Sequence, residues 1–319
     1  KGIFGNIEEC QFINNKGSIS SEIYYESGGS SSTDQQILLI QSNEFHRTND
    51  DNDKYLIHIE RAKTTQLTFK DNKININNND KETYLLNIFG TTGTLEFTSN
   101  CIKPNKESIC ESSILTENIE NGFTDTCEIT DPDLPNHPTD PIITNTPTVE
   151  PTVEPTPEQP NSCPIIPSGA IDLSTTQEYT TNKHLYGCEL NIEERINGNK
   201  NILTLYSCTF KDLTDSSSEG GGAIYITTSS SGTPKGNISI EQCQFTHCIS
   251  TIGGSISIST AQGSRHFKIT KCLFMNNEAS EGQGGAICFK GIFGNIEECQ
   301  FINNKGSISS EIYYESGGS

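Results

Sequence analysis

The sequence predicts an all-β chain wound as a parallel β-helix, on three observations. A degenerate motif returns every ~29 residues, the predicted strands alternate apolar and polar with period two, and the composition is too lean for a wide core. Of 319 residues only 32% are apolar and 19% charged, with 27 Gly and no Trp. Little apolar surface is available to offset ordering entropy, which favours a narrow, repeating core. No segment carries a long 3.6-residue apolar pattern with caps, so helix content should be very low. The competing architecture, an antiparallel sandwich, needs frequent two-residue hairpin turns, and few are present.

The first element of each coil reads apolar-x-apolar-x-x-Cys-x-Phe-x-x-Asn in its clearest form. It occurs as LTLYSCTF (203–210), ISIEQCQF (238–245), FKITKCLFMNN (267–277) and NIEECQFINN (295–304), with a weaker copy HLYGCEL (184–190). With Asn in place of Cys it continues as LLIQSNEF (38–45), LTFKDNKININ (67–77) and LEFTSNCIKPN (95–105). The anchors are therefore Cys188, Cys208, Cys243, Cys272 and Cys299 (duplicated as Cys10), then Asn43, Asn72 and Asn100. A second element follows each anchor after a short loop: GGAIYI (221–226), GGSISI (253–258), GGAICF (284–289), SSEIYY (309–314), KYLIHI (54–59) and TYLLNI (83–88).

Parity within the first element predicts a corner. Ile238 and Ile240 lie five and three residues before Cys243, whereas the next inward positions are Cys243 itself and Phe245. Odd and even offsets cannot share one face of a continuous strand, so a bend must fall between them. The two residues there are polar in nearly every copy, as in Glu241-Gln242 and Lys70-Asp71. Strand, corner, strand, loop, strand is one coil of a β-helix, and eight anchors make a rod on the order of 40 Å long at ~4.8 Å per coil.

Residues 1–30 recur without a change at 290–319, an offset of 289. The chain thus reads as slightly more than one unit of a longer tandem array, taken out of frame, with any targeting or anchoring signal expected outside it. Between the halves, residues 131–162 hold nine prolines, six acidic residues and no Lys or Arg, the composition of an extended spacer. The expected division is 1–130 as the C-terminal part of one β-helix unit, 131–162 as an acidic Pro/Thr-rich linker, and 163–319 as the N-terminal part of the next. Because 1–30 and 290–319 are copies of one coil, the expectation is two half-rods with exposed stacking ends, prone to dimerise or pair end to end.

In register, Cys208, Cys243, Cys272, Cys299 and Cys10 should form an internal column that Asn43, Asn72 and Asn100 extend as amides bonded coil to coil. Thiols along a line do not make the tetrahedron zinc requires, and no CxxC pair is present, so no metal or cofactor is expected. Cys101, Cys110 and Cys127 crowd one end of the unit and Cys163 opens the other, where terminal coils need capping. At least one disulfide is expected among the first three, and a further one is Cys163–Cys188. Cys248 and Cys288 have no assignment.

The formal net charge of −20 repels phosphate backbones and anionic lipid, which excludes nucleic-acid binding. No run of 18 apolar residues spans a membrane. The acidic stretch 49–53, with His46 and Arg47 beside it, is a solvated turn before it is a calcium site. No phosphate-binding loop, GxSxG or HExxH is present. Asn237 heads the one acceptable N-glycosylation sequon.

The alternating GGAI and FxxN elements, here Gly221-Gly222-Ala223-Ile224, Gly284-Gly285-Ala286-Ile287, Phe274–Asn277 and Phe301–Asn304, resemble the polymorphic outer-membrane protein repeats of chlamydiae and of trichomonad surface proteins. The clear matches cover about 202–304, with degenerate copies over 31–105. The resemblance implies a right-handed parallel β-helix displayed outside the cell, usually for adhesion, and transfers no ligand-binding residue. The function expected is therefore a non-enzymatic structural or adhesive surface protein. Its partners would be neighbouring copies of the repeat and a surface glycan or protein receptor. The alternative is a polysaccharide-active β-helix enzyme of the pectate-lyase type, whose carboxylates converge from distant coils.

Overall fold

The computed structural model describes residues 3–17, 20–26, 36–47, 55–60, 65–76, 84–89, 94–103, 109, 119, 121–125, 172–173, 184–185, 196–198, 203–206, 209–216, 218, 220–228, 237–260, 266–291, 294–307 and 311–315. The protein is a parallel β-helix. Three nine-stranded sheets run along the stack, a three-stranded sheet spans three of its coils, and every strand pair between described strands is parallel. The first sheet carries the strands before each anchor, such as Asn237–Glu241 and Gln36–Gln41. The second carries those after it, such as Gln244–Thr246 and Glu44–Arg47. The third carries the second element of each coil, such as Ile256–Thr260 and Tyr55–Glu60.

The corner implied by parity has a definite backbone form. The residue just before each described anchor is left-handed: Glu9, Ser42, Asp71, Ser99, Gln242, Lys271 and Glu298 all have φ between 53° and 56°. One αL residue turns the strand, so Ile240 and Cys243 both face inward although their offset is odd. A second αL residue, at Asn14, Asp212, His247, Asn276 and Asn303, turns the chain again two residues after the inward Phe. Beyond it runs the short fourth sheet of Ile249–Ser250, Glu278–Ala279 and Lys305–Gly306, which the sequence reading did not anticipate.

The paired glycines before the third sheet do two jobs. Gly221, Gly253 and Gly284 are left-handed, with φ of 74°, 57° and 70°. Their successors let coils approach: a Cβ on Gly254 would sit 2.0 Å from the carbonyl oxygen of Gly285 one coil on.

The expectation of exposed stacking ends is corrected, and the expected end-to-end pairing occurs within one chain. The coil at 290–319 stacks directly on its own copy at 1–30, with Asn6 opposite Asn295, Gln11 opposite Gln300 and Ile23 opposite Ile312. The copies do not compete for one slot; they fill adjacent ones, which is why eight expected anchors give nine strands per sheet. The physical reason is self-complementarity. In a parallel in-register stack each side chain meets its counterpart, so identical coils match everywhere. Phe12 lies on Phe301 with ring centroids 5.0 Å apart, and Tyr24 lies on Tyr313 at the same spacing.

Candidate functional site

The interior carries two polar columns, and both run unbroken through the 319-to-1 junction. In the first, the N–H of Cys243 donates to Sγ of Cys272 (3.4 Å), that of Cys272 to Sγ of Cys299 (3.5 Å), and that of Cys299 to Sγ of Cys10 (3.4 Å). The N–H of Cys10 then donates to Oδ1 of Asn43 (2.9 Å), that of Asn43 to Asn72 (3.0 Å) and that of Asn72 to Asn100 (3.0 Å). Thiol and amide occupy one slot in the same way. Asn43 Nδ2 donates to the carbonyl of Ile7, and Cys272 Sγ to that of Ile240, in each case three residues before the anchor one coil back. Cys208 lies outside the described residues.

The second column was not read from the sequence. It consists of Cys248, Asn277, Asn304 and Asn15, each N–H donating to Oδ1 of the next at 2.9–3.0 Å. It ends among buried charges. Asn304 Nδ2 donates to Glu311 Oε2 (2.8 Å), Asn15 Nδ2 to Glu22 Oε2 (2.7 Å), and Arg47 Nη1 to the Asn15 carbonyl (2.8 Å). Glu22, Glu311 and Arg47 are fully buried. Arg47 therefore belongs to the interior, not to the acidic turn at 49–53, which lies outside the described residues.

Burial holds the Glu311 carboxyl well above the usual value of 4.5, with the Glu22 charge adding to the effect and the Asn304 amide opposing it. The folded state then keeps a proton that the unfolded chain releases. The stability this contributes is complete below about pH 4.5 and is lost as pH rises toward the folded value. Glu44 runs the other way: His46 and Lys73 lower it to about 2, so its contribution is present above 4.5 and lost as pH falls toward 2. Glu311→Gln keeps an acceptor for Asn304 and removes the proton. Its urea midpoint should fall less between pH 5 and pH 8 than that of the unchanged chain; an equal fall excludes Glu311 as a source of the slope.

Cys10, Cys243, Cys248, Cys272, Cys288 and Cys299 are buried free thiols. Burial raises Cys10 and Cys272 well above the usual thiol range and pushes Cys248 and Cys288 up to about 12. These four are held protonated, and burial shields all six from reagent. A thiol-reactive dye should label these six only after denaturation; labelling of the folded chain at any of them, located by peptide mapping, contradicts the column. Cys101, in the strand Asn100–Lys103, is disulfide-bonded. Cys110, Cys127, Cys163 and Cys188, the other disulfide candidates, lie outside the described residues. So does the side chain of Asn237, which begins the strand Asn237–Glu241.

On the outer face of the third sheet, Cys288, Tyr313, Tyr24, His58 and Asn87 align coil over coil. Beside them runs a charged row of Lys290, Glu315, Glu26 and Glu60. Each phenol reaches into the next coil: Tyr313 donates to Glu26 (3.2 Å) and Tyr24 to Glu60 (2.7 Å). His58 stacks on Tyr24, and desolvation lowers its pKa against the pull of Glu60. Carboxylates from three coils are thus brought into one line, which no local sequence signal announced. Among the described residues, no group of three His, Cys, Asp or Glu is placed to hold a metal. No helix among them is long and apolar enough to cross a membrane.

Comparison with known proteins finds no matching family model, no matching curated protein and no matching solved structure.

Proposed function

We propose that the chain is a non-enzymatic, extracellular tandem-repeat β-helix protein with a structural or adhesive role at the cell surface. One observation carries the reading: coil 290–319 accepts its identical copy, 1–30, in full register across all three long sheets. A fold that extends by adding copies of itself builds length, and length with repeated surfaces serves reach and multivalent contact. The acidic spacer at 131–162, the charge of −20 and the resemblance of the GGAI and FxxN elements to surface-protein repeats support the same reading. The test is display. The chain fused to an anchored, non-adherent cell should increase binding to host cells or immobilised glycans over the parent, and no increase on any panel removes the adhesive part.

The outer row of Glu315, Glu26 and Glu60 favours a second reading, a polysaccharide-active enzyme. Release of reducing or unsaturated sugar ends from acidic glycans, abolished by Glu26→Gln, would establish it in place of the first.

A further inference from the structure

Four thiols of the first column lie among the described residues, and their register is fixed by the residues on either side of the corner. Glu241 faces Thr270 and Gln244 faces Leu273, which sets Cys243 opposite Cys272. In the same way Cys272 stands opposite Cys299, and Cys299 opposite Cys10. All four are free thiols, at most 1% exposed. They also share one side-chain orientation: each Sγ lies 3.2–3.3 Å from the carbonyl oxygen two residues before it, that of Glu8, Glu241, Thr270 or Glu297. Equal orientation on stacked coils makes the sulfur spacing equal to the coil spacing, ~4.8 Å.

From this spacing we infer that neighbouring sulfurs of the column bind a soft monovalent cation of the copper(I) or silver(I) class, two sulfurs to one ion in a straight line. A metal–sulfur bond is about 2.3 Å for zinc, so two placed end to end span roughly 4.6 Å, close to one coil. A line of thiols defeats zinc, which gathers four ligands around a point. It suits a soft ion that thiolates select and that takes two ligands at opposite ends. Side chains stand roughly perpendicular to their sheet, so an ion between two coils meets each Cβ–Sγ bond nearly at a right angle, where sulfur has its lone pairs. A second ion on the far side of the same sulfur would need a straight bridge through it, which thiolates do not form. Each sulfur therefore serves one ion, and the four hold two: one between Cys243 and Cys272, one between Cys299 and Cys10.

Charge balance favours a monovalent ion. At each pair two metal–sulfur bonds form, one S–H bond breaks and its proton leaves to solvent, while the other thiol keeps its proton. No electron is transferred, and the dry interior gains no net charge. The S–H contact given up is a weak one, and the N–H groups that donate to Cys272, Cys299 and Cys10 at 3.4–3.5 Å remain to support the sulfurs. Hard cations are excluded by the surroundings. Ile240, Ile269, Phe245 and Phe274 wall the column, and among the described residues no three His, Cys, Asp or Glu converge on a point. The site is also bounded. Beyond Cys10 the slot is filled by Asn43, an oxygen donor unsuited to a soft ion. The other two buried free thiols have no such partner: Cys248 meets Asn277 in its column, and Cys288 stands between Ser257 and Tyr313.

The inference rests on the column and not on the proposed function. Burial closes the column once the chain is folded, so ions enter while the coils assemble. The full chain is unfolded in urea with silver(I) nitrate in chloride-free buffer under argon, refolded, and washed with an excess of a small thiol that strips accessible silver. About two silver ions per chain should survive the wash, one for each pair of sulfurs. A Cys243→Asn, Cys299→Asn chain leaves no two described thiols of the column adjacent and should retain none, asparagine being at home in the same slot. X-ray absorption of the retained silver should show two sulfur neighbours. An ion bound by the folded chain alone raises the urea midpoint, whereas one bound by exposed thiols of the unfolded chain lowers it. A raised midpoint is expected. No retained silver in a refolded, β-rich chain overturns the inference, as does equal retention by the double variant or a shell of three or four sulfurs. Should the double variant fail to fold, the unchanged chain decides alone: a midpoint that silver leaves in place or lowers overturns the inference.

Discussion

Asn72→Ala should lower stability by roughly 3–5 kcal/mol, far more than its size suggests, because the loss is counted in stranded partners. Asn72 Oδ1 receives both the N–H and the Nδ2 of Asn43, and Asn72 Nδ2 donates to the carbonyls of Ile40 and, through the column, to Asn100 Oδ1. Alanine leaves the two Asn43 donors and the Ile40 acceptor buried without this partner, at ~1–3 kcal/mol each before relaxation. Asn72→Cys is the informative control. Upstream in the same column a thiol sulfur accepts the preceding N–H and its S–H reaches the same carbonyl, so cysteine should recover at least half of the loss. Conversely, Cys272→Asn should be close to neutral, since its amide would meet the carbonyl of Ile240 where Asn72 meets that of Ile40. Denaturant midpoints of the three variants decide this. If Asn72→Ala and Asn72→Cys are equally damaging, the interchange of thiol and amide along the column is wrong.

The same residues show how far the sequence could be read. The offsets of Ile240, Cys243 and Phe245 revealed a bend without any structure, because a period of two leaves no other way to bury all three. The second bend has the same signature: Phe274 and Asn277 are an odd three residues apart, and both are buried. FxxN is the sequence form of that bend. Glu22 and Glu311 were not legible at all. In SSEIYY a glutamate before an aromatic pair reads as solvent-facing, and what draws it inside is an amide seven residues earlier, Asn15 or Asn304, delivered by the second corner. Identity of 1–30 and 290–319 suggests competition for one position, yet the two coils sit side by side. In a stack of parallel coils, identity is the condition for being neighbours.

Phe69→Ala should cost about 3–5 kcal/mol, the usual loss for emptying a buried aromatic site, and its rescue tests what fills the core. In most coils the inward residue three before the anchor is Ile and the one two after it is Phe, as in Ile240 with Phe245, Ile269 with Phe274, and Ile7 with Phe12. Those second-sheet rings make one stack: Phe210–Phe245 at 4.7 Å, Phe245–Phe274 at 4.9 Å and Phe274–Phe301 at 4.8 Å, all within 5° of parallel. Two coils invert the order. Phe69 and Phe97 stand three before their anchors, and Ile74 and Ile102 stand two after, so the large side chain has moved to the first sheet and the small one to the second. The rings there meet at 5.9–6.3 Å and tilt by 25–46°: Phe69 and Phe97 neighbour each other within the first sheet, while Phe45–Phe69, Phe69–Phe123 and Phe97–Phe123 meet across the first and second sheets. Total volume per coil is held constant while its placement changes, which close-packed interiors require. Ile74→Phe alone should therefore overpack and destabilise by ~1–3 kcal/mol. Combined with Phe69→Ile it should return to within about 1.5 kcal/mol of the unchanged chain, restoring the majority pattern. A double variant no more stable than the worse single one would show that the two positions do not share a common space, and that the narrow core is not filled coil by coil.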